Sequence, residues 1–420
     1  MDGSSLPHNQ GATCGGRTRP VGRGVRKRVL IGWELGAGLG HVGMLKPLAR
    51  RLVSLGYEVI MALRDVGDAG EMLADTGAVL VQAPRWPQAC PRGRDELKTL
   101  ADVLYSIGFG EVDRLHEQAV KWHCLVRQVD PHMVIGEYSP TLALVAIGRR
   151  KYITIGSGFT VPPPCLPLPP YRFWERDPPA SSVTKERVLT DTVGVVRREL
   201  GLAPLPRLAL LFGGDVTGVC TYPALDCYRL YRRQAVLGPL TDRTDDPPTV
   251  DRQRSGAFVY LSGLAPDFDI IVEGLARPGV AIQAYVRDLQ PTQRELMRAK
   301  GWTVHDAPQD LRAGLPGVAA VVHHGGLSTT HVAIETGTPQ LVLPTSTEQV
   351  ITAQGLVNLH LGLGLSRPQR TVESVADALA RVVSNPVFRR RALDVAVGVR
   401  ARREPGALDV LTERCGALLA

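Results

Sequence analysis

The 420-residue sequence lacks the patterns of several common protein classes. No apolar run approaches the roughly 18 residues of a membrane-spanning helix, and the N-terminus lacks the apolar core of a secretory signal. The seven cysteines are odd in number and scattered, with no Cys-x-x-Cys pair, which argues against a disulfide framework or a zinc site. The sequence therefore predicts a cytoplasmic protein with reduced thiols and no integral membrane segment.

Three catalytic signatures are also missing: the GxSxG elbow, the HExxH helix and the GxxxxGK[ST] loop. Their absence removes the commonest hydrolase and nucleotide triphosphatase interpretations. His323, His324 and His331 could suggest a metal site. However, two adjacent residues at a strand end point in opposite directions, and no carboxylate is spaced to complete a ligand set. We expect no bound metal.

Most of the net positive charge is concentrated at the N-terminus. The net charge is +8, and six basic residues against Asp2 put +5 of it in the first 28 residues. A glycine-rich, basic segment with no aromatic residues is typical of a solvated, disordered tail, here residues 1–27. We therefore expect no nucleic-acid partner, although a basic tail could also touch nucleic acid or anionic lipid.

The remaining chain is long enough for two domains of ordinary size. With 44% hydrophobic and 21% charged residues, its composition is that of a globular protein. Strand-like and helix-like segments alternate in both halves, and a polar, proline-interrupted stretch separates them. This pattern predicts an α/β protein with two Rossmann-like domains facing across a cleft and with C-terminal helices. The predicted boundaries are 28–240 for the first domain, 241–255 for the linker and 256–420 for the second domain.

A candidate phosphate site lies in the second half. The apolar run Val318–Val322 ends at His323, His324, Gly325 and Gly326, and a short helix is predicted to follow and to end at Gly337. Glycines let the backbone approach a ligand, and the free N–H groups of a helix N-terminus favour an anion such as pyrophosphate.

A second strand and loop follow at once. The run Leu341–Leu343 leads to a polar loop that includes Glu348 and Gln349, just before another predicted helix. Neighbouring parallel strands end at the same edge of a sheet, where open α/β sheets bind their ligands. A carboxylate and an amide at that edge can accept from and donate to the hydroxyl groups of a sugar.

The segments HHGGLSTTHVA, GTPQLVLP and the later GLGL, within Val318–Gly364, resemble the donor-site signature of nucleotide-sugar-dependent glycosyltransferases of the B fold. The resemblance is closest to the bacterial branch that glycosylates glycopeptides, sterols, macrolides and other small lipophilic acceptors. It implies that the diphosphate is held by His324 and by the turn of Ser328, Thr329 and Thr330. It also implies that Glu348 and Gln349 hold the sugar hydroxyls.

The first half opens with a strand, Arg28–Glu34, a glycine-rich turn and a helix with Pro47 in its first turn. Gly38, Gly40 and Gly43 satisfy the dinucleotide fingerprint, and Asp65 lies where a ribose-binding acid is expected, so an NAD-dependent oxidoreductase remains an alternative. The resembling transferases instead carry a Gly-His turn at this strand end. There the histidine is the general base, which here implies that role for His41. Gly40 is assigned to the donor side of the same turn.

Further site residues are assigned by position. Glu137 ends a short strand, where the resemblance implies a carboxylate that orients the base. Ser262 ends the first strand of the second half and can face the pyrophosphate. Phe159, Phe173 and Trp174 flank a proline-rich run of the first half, where an apolar acceptor could bind, although core packing is an equal explanation. Strands are also predicted within 208–220 and 235–240.

The function predicted from the sequence is transfer of a hexose from a UDP- or dTDP-sugar to a hydroxyl group of a small, lipophilic acceptor, with inversion. The nucleotide sugar is a co-substrate, and no cofactor is expected. Besides the oxidoreductase, two alternatives on the same fold remain open. One is a sugar-nucleotide epimerase, and the other is a non-catalytic partner that binds nucleotide sugars.

Overall fold

A computed structural model describes residues 26–36, 38–87, 97–241, 254–401 and 405–420. Within these ranges the chain forms two α/β halves, each built on a six-stranded parallel sheet. The predicted tail and the predicted linker lie largely outside the described residues. None of the helices in the described ranges is long and apolar enough to cross a membrane.

The first sheet has the strand order β3-β2-β1-β4-β5-β6, and all of its pairings are parallel. Its strands are β1 Arg28–Trp33, β2 Glu58–Leu63, β3 Val79–Gln82, β4 Met133–Glu137, β5 Lys151–Gly156 and β6 Val216–Val219.

The second sheet has the order β12-β11-β10-β7-β8-β9 and is also parallel throughout. Its strands are β7 Ala257–Ser262, β8 Ile282–Arg287, β9 Thr303–Val304, β10 Ala320–His323, β11 Gln340–Val342 and β12 Gly362–Gly364.

Both sheets follow the same rule. In each, the first strand lies between the second and the fourth, so the winding direction reverses between β1 and β4 and again between β7 and β10. Ligands of open α/β sheets bind outside the carboxyl ends of the strands at such a reversal. The two-domain α/β prediction is confirmed, and each half has one expected ligand edge.

Helices cover the faces of both sheets. In the first half they are α1 Gly40–Ser54, α2 Val66–Leu73, α3 Leu100–Ser106, α4 Val112–Val129, α5 Pro140–Ala146 and α6 Ala180–Glu199. In the second half and the C-terminal segment they are α7 Phe268–Ala276, α8 Pro291–Ala299, α9 Leu311–Gly314, α10 Leu327–Thr336, α11 Thr347–Asn358, α12 Val372–Ser384, α13 Pro386–Arg400 and α14 Ala407–Leu419.

Helix α1 starts earlier than predicted. It begins at Gly40, so His41 lies in its first turn and Pro47 lies in its interior rather than at its start. Proline has no N–H, and α1 therefore lacks the hydrogen bond that residue 47 would otherwise donate to the carbonyl of Gly43. Burial of one apolar face compensates, with Val42, Leu45, Leu48, Ala49 and Leu52 buried at helical spacing.

Two segments of the first half that were predicted as strands are only partly strands or not strands. Within 208–220 the chain forms a short 3-10 helix, Leu208–Phe212, and only then β6. Within 235–240 only an isolated bridge forms, between Val236 and Val219. Both stretches contain short apolar runs, and such runs do not by themselves distinguish strands from other segments.

The last helix does not remain with the half that precedes it. Helix α14 packs against α1 and the first sheet, where its Leu408, Leu411 and Cys415 are buried in the same cluster as Val29 and Ile31. The sequence analysis grouped residues 256–420 as one domain. Sequence order therefore did not reveal that the last helix joins the core of the first half.

Candidate active site

His41 and Glu137 meet at the winding reversal of the first sheet. Glu137 is the last residue of β4, and His41 follows β1, the neighbouring strand. The Nδ1 atom of His41 lies 2.9 Å from Oε2 of Glu137. Because a carboxylate only accepts, Nδ1 carries the hydrogen and donates it, which leaves Nε2 as the free acceptor nitrogen. The predicted residues are therefore in contact.

Two aromatic rings hold the imidazole of His41. The Trp33 ring stacks at 5.4 Å between centroids and the Tyr138 ring at 6.2 Å. Tyr138 adopts a left-handed φ of 44° directly after β4, a conformation that non-glycine residues rarely hold outside functional or tightly constrained sites. Gly36 is required beside them, since its φ is +86° and a side chain there would overlap Nε2 of His41.

Charge and burial act in opposite directions on this histidine. Burial disfavours the imidazolium, but the carboxylates of Glu137 and Glu348 outweigh that effect and raise the pKa of His41 above its ordinary value. Glu137 itself is completely buried, and its Oε1 has no hydrogen-bond partner among the described residues. The carboxylate that holds the ring is thus shielded from water.

The N-terminus of α10 faces this pair from the second half. Gly326 is the N-cap residue and supplies no side chain to the free N–H groups of the first turn. A Cβ on Gly43 of α1 would lie 3.6 Å from Oγ of Ser328, so the first turns of α1 and α10 approach each other across the cleft. Ser328 is exposed there. The amides and this hydroxyl can receive an anion.

The two threonines of the same turn do not fit the predicted role. Thr329 and Thr330 are buried, and Oγ1 of Thr330 has no hydrogen-bond partner within the described residues. Successive residues of a helix point about 100° apart, so Ser328 can face the cleft while the next two face the interior. The burial of Thr329 and Thr330 therefore favours Ser328 as the hydroxyl that contacts a diphosphate, and the roles predicted for the two threonines stay predictions.

Gly325 and Gly326 serve different purposes. Gly325 has a φ of +97°, and a side chain there would come within 2.9 Å of Val342 and 3.1 Å of the Gln349 carbonyl. A larger residue at position 325 would therefore collide with its neighbours. Nothing lies within 4 Å of the corresponding position at Gly326, which leaves the backbone there open to a ligand.

His324 differs from the prediction in its contacts. Its Nδ1 donates to the carbonyl of Leu343 at 2.8 Å, and its Nε2 accepts from the N–H of Ser262 at 3.1 Å. Burial lowers its pKa, so the ring is neutral and has no free donor for a phosphate. As it stands, the ring ties the end of β7 to the end of β11. Its fit as a direct phosphate ligand is therefore poor.

The hydroxyl of Ser262 is also occupied. It donates to Oδ2 of Asp288 at 3.0 Å and accepts from the N–H of Leu264 at 3.3 Å. Ser262 does lie at the winding reversal of the second sheet, as expected for a residue near the donor. In this arrangement, however, its side chain shapes the loop instead of pointing freely into the cleft.

Glu348 and Gln349 open α11, but only one of them is free for a sugar. Oε1 of Gln349 completes a capping box by accepting from Thr345 and from the N–H of Ser346. Oε1 of Glu348 accepts from Ser157 of the first half at 3.3 Å. Burial raises the pKa of Glu348, and His41 opposes that shift. The carboxylate of Glu348 is therefore the polar group that faces the His41–Glu137 pair.

The other two histidines have separate structural partners. His323 is buried, and its Nε2 donates to Gln340 at 2.9 Å; burial lowers its pKa to about 4. His331 contacts Thr221 of the first half at 3.1 Å, and burial lowers its pKa to about 3. Both rings are neutral at ordinary pH. They are used in packing and in a contact between the halves.

The predicted acceptor residues form two groups. Phe159 contacts Tyr138 edge-on at 6.3 Å and Tyr171 at 5.1 Å, so it extends the aromatic surface that begins at His41. Phe173 and Trp174 contact each other at 4.9 Å, and Trp174 is 47% exposed. Phe159 thus lies nearest the candidate base, with the other two further along the same surface.

Comparison with known proteins shows what this chain is similar to. Residues 304–413 match the family model described as erythromycin biosynthesis protein CIII-like, C-terminal domain. Glycosyltransferase GtfE of Amycolatopsis orientalis is 24% identical over 407 residues, which cover 90% of this chain and 95% of that protein. The chain is thus similar to glycosyltransferases over most of its length, and its fold is that of B-fold glycosyltransferase structures.

Two further similarities agree with this assignment. The 3-alpha-mycarosylerythronolide B desosaminyl transferase of Saccharopolyspora erythraea is 30% identical over 107 residues, covering 26% of this chain and 25% of that protein. The crystal structure of glycosyltransferase VinC in complex with dTDP aligns with a TM-score of 0.63 at 19% identity, covering 93% of this chain and 99% of that one. Both named relatives are glycosyltransferases, and these similarities favour sugar transfer over the oxidoreductase interpretation of the glycines at 38–43.

Several residues of the candidate site were not recognised from sequence patterns alone. Trp33 and Tyr138 enclose the base, and Ser157 contacts Glu348 across the cleft. Glu34 is buried just after β1 and accepts from Trp86 and from the N–H of Thr141, and burial raises its pKa to about 7. The signal that could have found them is position, since Trp33, Glu34, Tyr138 and Ser157 all lie at or just beyond a strand end.

Proposed function

We propose that the protein transfers a hexose from a UDP- or dTDP-sugar to a hydroxyl group of a small, lipophilic acceptor, with inversion at the anomeric carbon. The observation that carries this proposal is the hydrogen bond between His41 and Glu137, which faces the N-terminus of α10 across the cleft. A base on one side and an anion-binding turn on the other are the two groups that such a displacement needs.

The proposed reaction starts with the acceptor hydroxyl at Nε2 of His41. The acceptor oxygen attacks the anomeric carbon while its proton passes to Nε2, and Glu137 stabilises the imidazolium through Nδ1. The bond from the anomeric carbon to the diphosphate oxygen breaks on the opposite face, and its electron pair leaves with the diphosphate. The amides at the start of α10 and the hydroxyl of Ser328 stabilise the charge that develops there.

The donor sugar would lie between these two groups. Glu348 projects from α11 toward Ser157 and carries a charge that acts on His41. A carboxylate at this point can accept hydrogen bonds from sugar hydroxyl groups, displacing Ser157 as its partner. The aromatic surface of Tyr138, Phe159 and Tyr171 beside the base supports an apolar or aromatic acceptor.

The test begins with ligand binding by the intact protein. UDP, dTDP, UDP-glucose and dTDP-glucose are each assayed by thermal shift, and a ligand at 100 times its dissociation constant should add about 2.7 kcal/mol to the free energy of unfolding. The stabilising donor is then incubated with a panel of lipophilic hydroxyl compounds. Products are detected by mass spectrometry, and their anomeric configuration is assigned by NMR.

The proposal predicts an acceptor-dependent product of inverted configuration. Conversion of the donor to an isomeric nucleotide sugar without any acceptor would instead identify an epimerase. A protein that bound nucleotide sugars but consumed none with any acceptor would favour a non-catalytic partner, and a product of retained configuration would contradict the assigned role of His41.

A further inference from the structure

Arg287 is a cation at the cleft that has no hydrogen-bond or ion-pair partner among the described residues. It is the last residue of β8 and pairs in register with Ser262 at the end of β7. Its side chain is half-buried, yet its guanidinium makes no hydrogen bond or ion pair with any residue in the described part of the chain. By contrast, the buried Arg254 and Arg370 of the same half each bind backbone carbonyls.

The position of this guanidinium is informative. Its Nη1 lies 3.9 Å from the point that a Cβ on Gly38 would occupy, so it reaches the glycine-rich turn of the first half. Its charge also reaches the end of β10: burial lowers the pKa of His324, and Arg370 and Arg287 lower it further. Arg287 therefore lies where the loop after β1 meets the second sheet.

The nearby carboxylates of Asp288 and Asp267 do not form an ion pair with the guanidinium of Arg287. Asp288 follows Arg287 directly, but its Oδ2 accepts from the hydroxyl of Ser262. Asp267 accepts from Arg370 at 2.8 Å, which is already a buried ion pair. An arginine that is partly removed from water and lacks a counter-ion retains its full capacity to bind an anion.

We propose that Arg287 is a phosphate-binding residue of the donor site and contacts the diphosphate of the nucleotide sugar from the second half. The inference rests on the proposed function, which puts the diphosphate at the N-terminus of α10. A planar guanidinium can bind two phosphate oxygens at once, a geometry that neither His324 nor Ser262 offers in its present contacts. Arg287 thereby supplies the diphosphate contact that the resemblance had assigned to His324.

The inference also concerns specificity within the donor. A residue that binds phosphate distinguishes a nucleoside diphosphate from the nucleoside alone, while leaving base recognition unchanged. Loss of a hydrogen bond to a charged group costs enough to weaken binding by roughly 10- to 100-fold. The effect should therefore grow with the number of phosphates on the ligand.

The experiment is calorimetric titration of the intact protein with thymidine, dTMP and dTDP, repeated with uridine, UMP and UDP. The variants are Arg287→Ala, Arg287→Gln and Arg287→Lys. Arg298→Ala is the matched control, because Arg298 is an exposed arginine of the same half, in the last turn of α8. Unfolding midpoints are measured for every variant, and Arg287→Gln keeps a polar side chain should Arg287→Ala alter the fold.

We expect Arg287→Ala and Arg287→Gln to weaken dTDP or UDP binding by roughly 10- to 100-fold, with a smaller loss for the monophosphate and none for the nucleoside. Arg287→Lys should recover part of the affinity, and Arg298→Ala should match the wild type. Unchanged diphosphate affinity in both neutral variants would overturn the inference while leaving the proposed function standing. A wild-type protein that bound neither dTDP nor UDP would overturn both.

Discussion

The two halves share one strand order but differ in what lies at the winding reversal. In the first half the reversal holds an imidazole and a buried carboxylate in direct contact, with the pKa of His41 raised. In the second half it holds the neutral histidines His323 and His324, whose pKa values are lowered by burial, and a helix N-terminus. The same topology therefore supplies a group that can take a proton on one side and groups that can bind an anion on the other.

This difference shows that the contacts of a histidine, and not its residue type, decide whether it can take up a proton. Histidines occur at both reversals, and residue type alone does not separate them. What separates them is the partner, since His41 faces carboxylates while His324 faces a carbonyl and an N–H group. Carboxylates stabilise a charged imidazolium, whereas burial between neutral backbone groups disfavours it.

Removal of the base should give the largest effect. His41→Ala is expected to lower the transfer rate by about 10²–10⁴ while donor affinity is retained, because general-base catalysis is lost and donor binding is assigned to the other half. Initial rates with a donor and an acceptor found by screening measure the loss. His116→Ala serves as the control, since His116 is an exposed histidine on α4. Turnover close to that of the wild type would refute the mechanism.

Glu137→Gln should give a smaller loss and a change in pH dependence. The base must be neutral to accept a proton, so activity should rise as pH increases through the pKa of His41, which lies above its ordinary value. Without the Glu137 charge that pKa falls, and the rising limb of the profile should move to lower pH. The measurement is kcat/KM against pH for both proteins. Coincident limbs would show that Glu137 does not act on the base.

Glu348→Ala should separate sugar recognition from nucleotide recognition. Loss of charge-assisted hydrogen bonds to the sugar should cost about 1.5–3 kcal/mol in kcat/KM for the nucleotide sugar. Binding of the bare nucleoside diphosphate, measured by calorimetry, should change little. Gln349→Ala is a useful contrast because Gln349 caps α11, so it should lower the unfolding midpoint instead. Equal losses for sugar and bare nucleotide would assign Glu348 a structural role.

The smallest expected effects separate the hydroxyls of α10. Ser328→Ala should weaken nucleoside diphosphate binding by about 0.5–1.5 kcal/mol without changing stability, because its exposed hydroxyl faces the cleft. Thr330→Val should leave that affinity unchanged and should be neutral or slightly stabilising, since it replaces a buried hydroxyl that lacks a partner. Calorimetry and thermal unfolding test both. A large affinity loss in Thr330→Val would restore the original assignment of that threonine.

Strand ends are the part of the site that could be predicted from the sequence. Apolar runs that stop at a polar residue located His41, Glu137, Ser262 and Glu348, and all four lie at the carboxyl edges of the sheets. Parallel strands bring such ends together whatever their separation in sequence. The contact between His41 and Glu137, 96 residues apart, agrees with that rule, although their pairing was predicted from the family resemblance.

Side-chain orientation could not be predicted in the same way. The rotation of α10 about its axis decides whether Ser328 or Thr330 faces the cleft, and short runs of small polar residues carry no periodic signal for it. The capping role of Gln349 depends on where α11 begins, which sequence patterns locate only within a few residues. Arg287 could not be singled out from the sequence because a single arginine at a strand end is common. Only the structure shows that its guanidinium has no hydrogen-bond or ion-pair partner among the described residues.

The path of the last helix has a consequence for how the molecule can be divided. Because α14 completes the core around α1, the first half is a discontinuous domain assembled from both ends of the chain. A fragment that stops at residue 240 would leave uncovered the apolar surface that Leu408, Leu411 and Cys415 occupy, and would be prone to aggregate. A separate peptide of residues 407–419 should bind to this fragment and cover that surface. The chain therefore crosses between the two halves twice, once on entering the second half and once on returning to the first.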